Sequence, residues 1–152
     1  MVKNTSKSQA RLADMKTFNI DLWETIKNNL MGQDEALNGR IFFGIAPEDT
    51  PTPYVVMHLL NGGEDSEAQT LCQNNSDYKT IGFARVQFNI YATNDMWLDE
   101  IREDLNKEIK KLNDLSEYRI LSKVLLRSKN ASSFTNETGI GLTEFKLEYE
   151  PL

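Results

Sequence analysis

Apolar and polar residues alternate without interruption through residues 81–92, IGFARVQFNIYA. One side of this segment is apolar and consists of Ala84, Val86, Phe88, Ile90 and Ala92. The other side mixes aromatic and polar residues, namely Phe83, Arg85, Gln87, Asn89 and Tyr91. A period of two over this length is typical of a half-buried β-strand. We therefore predict a central strand whose apolar side faces the core.

A first amphipathic helix is predicted from Asn19 to Met31. Its apolar stripe has helical spacing and consists of Ile20, Trp23, Ile26 and Leu30. Asn19 or Asp21 is a suitable cap for the start of the helix, and Gly32 is a suitable end. We expect Trp23 to anchor this helix in the core.

A second and more regular helix is predicted from a cap at Thr93, Asn94 or Asp95 to about Asn113. Its apolar stripe consists of Leu98, Ile101, Leu105, Ile109 and Leu112. Acidic residues near its start and lysines near its end match the helix dipole, and Glu103 and Lys107 form an i,i+4 pair. We interpret its charged residues as a face exposed to solvent. At about 1.5 Å per residue, the helix is long enough to cover most of a small sheet.

Two further strands are predicted before the central one. Residues Arg40–Ile45 are short and strand-like, and Tyr54–Leu60 is rich in β-branched and large apolar residues. Pro47, Pro51 and Pro53 predict an extended loop between them. His58 interrupts the second strand, and we expect it to lie on a polar face and not to act as a catalyst.

Two long strands close the chain and form a predicted antiparallel hairpin. The first is Tyr118–Arg127, which is apolar on both faces, and the second is Ile140–Glu150. Their polar connection, residues 128–138, carries one aromatic residue, Phe134. In the last strand the side predicted to face the core consists of Thr143, Phe145, Leu147 and Tyr149. The side predicted to face solvent consists mostly of Leu142, Glu144, Lys146, Glu148 and Glu150.

These elements predict an α+β fold, with a mainly antiparallel sheet of about four to five strands and two helices packed on one face. Residues 1–16 are polar and basic and are predicted to form an N-terminal arm, so that residues 17–152 make up a single domain. Residues 61–80 are predicted to form a long loop, acidic at Glu64, Asp65 and Glu67, with Tyr78 among the residues that pin it to the body. Loops of this length in a compact domain are often functional.

Composition narrows the possible partners. The chain of 152 residues carries a net charge of −6, whereas a surface that binds nucleic acid needs clustered Lys and Arg. Cys72 is the only cysteine, so no internal disulfide forms. The start of the chain lacks the apolar run of a secretory signal, and no segment approaches the roughly 20 apolar residues of a membrane span. We expect a soluble protein made in the cytosol.

The sequence contains no motif of a known catalytic or cofactor site. A P-loop, GxGxxG, GxSxG and HExxH are all missing, as is a Cys/His cluster. Asn74, Asn75 and Asp77 lack the Gly and distal Glu of a calcium-binding EF-hand. We therefore predict no enzymatic activity, no cofactor and no metal.

The order of elements resembles that of the tail-completion or tail-terminator proteins of long-tailed bacteriophages. The matching parts are the helix ending in Leu30, GRIFFGIAP (39–47), TPYVVMHLL (52–60), VQFNIYATN (86–94) and FKLEYEP (145–151). The resemblance covers nearly the whole chain from Asn19. The N-terminal arm and the loop at 61–80 depart from it.

The resemblance implies a structural virion protein, assembled in the cytoplasm of the bacterial host. Six copies would form a ring that ends the tail tube at its final length and offers a docking face to the head connector. Partners would be other copies, the tail tube protein and the neck proteins, and DNA would pass through without specific binding. A closed ring needs head-to-tail contacts between two different faces of each subunit.

The polar side of the central strand and the two polar loops are the predicted assembly interface. Its candidate residues are Glu64, Asp65, Tyr78, Phe83, Arg85, Gln87, Asn89, Tyr91 and Phe134. One alternative is another neck or head-completion adaptor of the same virion. A second alternative is an unrelated small α+β domain that binds a ligand or catalyses a reaction, which would need a deep site lined by convergent polar groups.

Overall fold

The computed structural model describes residues 17–31, 37–64, 81–135 and 138–152, with the backbone alone for 61–64 and 131–135. The elements in chain order are α1 (Phe18–Met31), β1 (Ile41–Phe43), β2 (Tyr54–Glu64), β3 (Gly82–Ala92), α2 (Asp95–Lys111), β4 (Tyr118–Thr135) and β5 (Thr138–Pro151). This is the predicted order, and the α+β class is confirmed. The predicted arm and most of the predicted loop, residues 65–80, lie outside the described residues.

The five strands form one sheet in the order β1-β2-β3-β5-β4. β1 and β2 are parallel, and every other neighbouring pair is antiparallel. β3 is the middle strand and pairs with β2 on one side and β5 on the other along its whole length. The alternating segment is therefore the central strand, as its pattern predicts.

The core lies between the two helices and one side of the sheet, which we call the inner face. All five apolar residues on the predicted inward side of β3 are buried: Ala84, Val86, Phe88, Ile90 and Ala92. They belong to one cluster with the buried residues of both helices. The side chain of Asn94 accepts a hydrogen bond from the Trp97 amide at 2.8 Å, so the predicted cap of α2 is confirmed.

Polar contacts join α2 to α1 and to β5. Glu108 is buried and accepts a hydrogen bond from Asn29 of α1 at 2.7 Å, which corrects the prediction that the charges of α2 all face solvent. Thr143 of β5 donates to Asn106 at 2.7 Å. The predicted ion pair of Glu103 and Lys107 is present at 3.2 Å.

The predicted cap and stripe of α1 are wrong in part. The helix begins at Phe18, and the Thr17 hydroxyl accepts from the Ile20 amide at 3.4 Å, so neither Asn19 nor Asp21 is the cap. Ile20 is 41% exposed, and the buried apolar residues of α1 are Phe18, Leu22, Ile26 and Leu30. Two overlapping stripes share the last two residues, and the sequence does not choose between them. Trp23 packs against the core and donates to the Ile41 carbonyl at 2.9 Å.

Two strands extend into segments that were predicted to be loops. β2 continues through residues 61–64, after an irregularity between Leu59 and Asn61, because the long β3 offers hydrogen-bonding partners as far as Gly82. β4 continues to Thr135 beside the first half of β5. Residues 128–135 lack the alternation of a half-buried strand because they lie at a sheet edge, and their pattern therefore suggests a loop.

Gly82 is the first residue of β3 and lies beside an aromatic cluster. A Cβ atom at this position would lie 2.4 Å from the Tyr149 ring, so only glycine leaves room for that ring. The Tyr149 ring stacks on Phe18 with a centroid distance of 3.7 Å, and Tyr118 meets both rings edge-on. This cluster closes one end of the core.

Candidate assembly surface

The candidate surface is the side of the sheet that faces away from both helices, which we call the outer face. The five predicted residues of β3 lie on this face: Phe83, Arg85, Gln87, Asn89 and Tyr91. Arg85 is exposed and the other four are half-buried. An antiparallel sheet with one covered face ordinarily carries polar residues on the other. Here aromatic side chains flank a polar centre, and the surface is neither core nor simple solvent face.

An ion cluster occupies the middle of the outer face. Glu144 of β5 is fully buried, and each of its carboxylate oxygens contacts a different arginine. Arg85 Nη2 lies 3.1 Å from Oε2, and Arg127 Nη2 lies 3.3 Å from Oε1. The predicted side of Glu144 is confirmed, because the residue lies on the outer face, but its predicted exposure to solvent is wrong. Pairing of β5 between β3 and β4 places two arginines beside it, and they enclose the carboxylate.

The cluster continues into the side-chain amides of Gln87 and Asn89 on β3. Arg127 also reaches the Gln87 carbonyl oxygen at 3.5 Å, and Gln87 donates to Asn89 at 2.6 Å. A continuous chain of polar contacts therefore runs across three strands, β4, β5 and β3. Such a network fixes the orientation of its side chains, which prepares the surface for a partner with little loss of side-chain entropy on binding.

The two arginines set the protonation of Glu144. Burial of the carboxyl raises its pKa, but the hydrogen bonds and positive charges of Arg85 and Arg127 together outweigh burial and hold the pKa below its ordinary value of 4.5. A carboxyl whose folded pKa is lowered stabilises the protein above its unfolded pKa and loses that contribution as pH falls through the folded value. Glu144 therefore stabilises the fold fully above about pH 4.5 and progressively less below it.

Replacement of this carboxylate gives a pH-dependent prediction. Glu144→Gln removes the charge that both arginines share, and because the arginines are half-exposed we expect a loss of only about 1–2 kcal/mol of unfolding free energy at neutral pH. The difference from the parent protein should shrink when urea unfolding is repeated at about pH 3, because the contribution of a carboxyl with a lowered folded pKa declines below the ordinary pKa of 4.5. Glu148→Gln, at an exposed position four residues later on the same face, is the matched control and should change stability by less than about 0.5 kcal/mol. A Glu144→Gln deficit that stays constant with pH would contradict this account.

An aromatic group lies at one end of the outer face. Tyr54 and Tyr91 stack with a centroid distance of 4.7 Å, and Phe42 meets Tyr54 at 6.3 Å in an edge arrangement. Burial, and secondarily the neighbouring Tyr91, raises the pKa of Tyr54. Val56 and Leu142 are buried on either side of Asn89, so this end of the face is the more apolar one.

A shallow depression of about 520 Å³ lies at the ion cluster. It is lined by Phe83, Arg85, Leu126, Arg127, Glu144 and Lys146. Three of these side chains are basic and one is acidic, although the whole chain is acidic. The depression therefore favours an acidic segment of a partner.

The described structure gives no side-chain position for the remaining predicted residues. Glu64 ends β2 opposite Gly82, and Phe134 lies near the end of β4, each with only its backbone described. Asp65 and Tyr78 lie outside the described residues. Sequence reasoning missed Glu144, Arg127 and the aromatic partners of Tyr91, because only the pairing of distant strands brings these residues together.

Two structural features are absent from the described parts of the chain. No group of three or more His, Cys, Asp or Glu side chains there is arranged to hold a metal ion. Neither α1 nor α2 is long and apolar enough to cross a membrane.

Comparison with known proteins reveals a likeness of fold. No family model matches the chain, and no curated protein matches its sequence. Among solved structures, 28 chains match. One of them is a chain of the structure described as "Virion of native gene transfer agent (GTA) particle", with a TM-score of 0.60 and 12% sequence identity. The match covers 85% of this chain and 94% of that one. The protein therefore has the fold of a chain found in that virion.

Proposed function

We propose that this protein is a structural component of a phage-type virion and, within it, the ring that terminates the tail tube. The observation that carries the proposal is the match of nearly the entire length of a gene transfer agent virion chain. The sequence resemblance to tail-terminator proteins supports the same class independently. Together they favour a subunit that acts by contacting other virion proteins.

The outer face supports this role physically. It carries an ordered polar network, an aromatic end and a depression suited to an acidic partner, and no helix of the described structure covers it. In a ring, such a face is available for contact with a neighbouring subunit, the tail tube or the head connector. We propose a hexamer, with DNA passing through the centre without specific binding. The proposed site of action is the virion, after assembly in the bacterial cytoplasm.

We also propose that the protein has no enzymatic activity. The chain lacks the catalytic motifs named above. The depression on the outer face is shallow, whereas small-molecule sites usually bury most of their ligand.

Loss of the protein distinguishes a tail terminator from a neck adaptor. If it ends the tube, particles produced without it should carry tails of uncontrolled length that fail to join heads. If it is a neck or head-completion adaptor, tails should keep their normal length and accumulate beside filled heads. Electron microscopy of the two preparations measures tail length directly, and a labelled copy of the protein locates its layer in intact particles. Normal infectious particles from cells lacking the protein would refute both roles.

A further inference from the structure

The sheet carries exposed apolar residues at both of its edges. At the β1 end they form a group that we call the β1 patch, consisting of Phe43, Ile45, Leu59 and Leu60. At the β4 end they lie along one edge strand, with Leu125 on the helix side and Leu126 on the outer side, and we call them the β4 patch: Leu121, Val124, Leu125 and Leu126. Ile45 is 81% exposed, an unusual state for an isoleucine, in the connection between β1 and β2. Each patch lies on or beside an edge strand of the sheet, where unpaired backbone groups favour association.

The β4 patch includes a groove between α2 and β4. The groove has a volume of about 320 Å³ and is lined by Asn106, Ile109, Lys110, Lys123, Leu125 and Phe145. Its apolar lining comes from Ile109, Leu125 and Phe145. At roughly 30 Å³ for each liquid water, the volume corresponds to about ten waters, which is room for one branched aliphatic side chain. Lys123 is held at the rim, where its ammonium group donates to the carbonyls of Lys110 and Leu112 at the end of α2.

The two edges have opposite charge. Residues 44–50, GIAPEDT, follow β1 and contain Glu48 and Asp49 but no basic residue. Both acidic residues are exposed. β4 contains four basic residues and no acidic one: Arg119, Lys123, Arg127 and Lys129. Charge complementarity of this kind favours contact between the β1 edge of one molecule and the β4 edge of another.

These edges cannot meet within one molecule. They are separated by four strand spacings, which is about 19 Å at about 4.8 Å for each spacing. A contact between two different surfaces of identical subunits closes a ring when its repeated rotation returns to the first subunit. A second copy of this chain can therefore present the complementary edge to the β4 patch.

We propose that residues 44–50 of one copy dock on the β4 patch of the next copy. Ile45 enters the groove between α2 and β4, and Glu48 and Asp49 face Lys110 and Lys123. The inference rests on the proposed function, because a ring supplies the head-to-tail geometry. It goes further by naming the two edges that meet and the side chain that enters the groove.

A pair of introduced cysteines tests this contact. In a Cys72→Ser background, which removes the natural thiol, the full-length chain receives both Ile45→Cys and Leu125→Cys. Mild oxidation should convert it into a ladder of disulfide-linked oligomers on a non-reducing gel. An intramolecular disulfide is excluded, since bridged Cα atoms lie within about 7 Å of each other. An equimolar mixture of the two single-cysteine chains should stop at the dimer.

A matched pair controls for random collision. Ile20→Cys with Leu125→Cys keeps one groove position and moves the other thiol to an exposed apolar residue of α1. Because docking raises the effective concentration of a thiol pair to about the millimolar range, we expect at least about tenfold more cross-linked product from the 45/125 pair than from the 20/125 pair. Equal yields from the two pairs would overturn the proposal. So would the absence of a ladder from the 45/125 pair, both in concentrated solution and in particles that contain the protein.

The outcomes separate this inference from the proposed function. If the protein forms the ladder but is absent from particles, the proposed contact is supported and the virion role is refuted. If the protein is present at the end of the tail but forms no 45/125 ladder, the virion role is supported and the proposed contact is refuted.

Discussion

Phe88→Asp is expected to leave the chain unfolded. Phe88 is fully buried at the centre of β3 and meets Phe145 edge-to-face with a centroid distance of 6.5 Å. Loss of a buried phenylalanine costs about 3–5 kcal/mol, and an unpaired carboxylate in the same place adds several more. The sum is comparable with the whole stability of a typical domain, about 5–15 kcal/mol. Circular dichroism should show loss of the folded signal, and the protein should no longer unfold cooperatively in urea.

Met96→Asp is the matched control for this substitution. It also replaces a large apolar residue by aspartate, but Met96 is 63% exposed and lies in the first turn of α2. A negative charge there interacts favourably with the helix dipole, so stability should change by less than about 0.5 kcal/mol. Phe88→Leu, which keeps the position apolar, should fold with a reduced urea midpoint. A folded Phe88→Asp protein would show that the inner face of β3 is wrongly assigned.

The strong alternation of β3 explains why its prediction succeeded in detail. A strand with one buried side must keep a period of two, because a slip of one residue would turn every apolar side chain outward. The apolar stripe of α2 is similarly unambiguous, whereas its cap is narrowed by the sequence only to Thr93, Asn94 or Asp95, and the structure selects Asn94. In these elements local pattern and tertiary burial agree, and the sequence alone is sufficient.

Where burial does not impose a pattern, the predictions lose their accuracy. Residues 128–135 form an edge strand with exposed side chains at its described positions, and nothing in their composition distinguishes them from a loop. The start of α1 is ambiguous because Phe18 and Ile20 offer alternative stripes. Both cases are decided by pairing or packing against distant parts of the chain.

The outer face shows the same limit at the level of the candidate site. The alternation of β3 correctly assigns Arg85 and Gln87 to a side away from the core. It contains no information on which residues of β4 and β5 lie beside them. Glu144 resembles an ordinary solvent residue in the sequence, yet the strand register encloses it between two arginines. The sequence therefore identifies the β3 residues of this candidate surface, whereas its β4 and β5 residues are known only from the strand register.

Asp21 of α1 makes a buried polar contact that stabilises the fold and lies away from the candidate assembly surface. The sequence suggests a helix cap, but the carboxylate is buried and accepts hydrogen bonds from the amides of Ser116 and Glu117 at 3.3 and 2.9 Å. It thereby joins α1 to the connection between α2 and β4, 95 residues further along the chain. Hydrogen bonds to a charged acceptor contribute about 1.5–3 kcal/mol each when a partner is removed.

Asp21→Ala should therefore lower the unfolding free energy by about 2–3 kcal/mol, since partial exposure of the two amides allows water to replace part of the loss. Asp21→Asn keeps one acceptor oxygen and should lose about half as much, whereas Asp95→Ala, at an exposed first-turn residue of α2, should lose less than about 1 kcal/mol. Urea unfolding with an unchanged denaturant slope measures all three. Because Asp21 lies on the inner side, Asp21→Ala in the 45/125 cysteine background should still form the same ladder below its unfolding temperature. An Asp21→Ala protein as stable as the parent would mean that these two hydrogen bonds do not hold α1 to the rest of the domain.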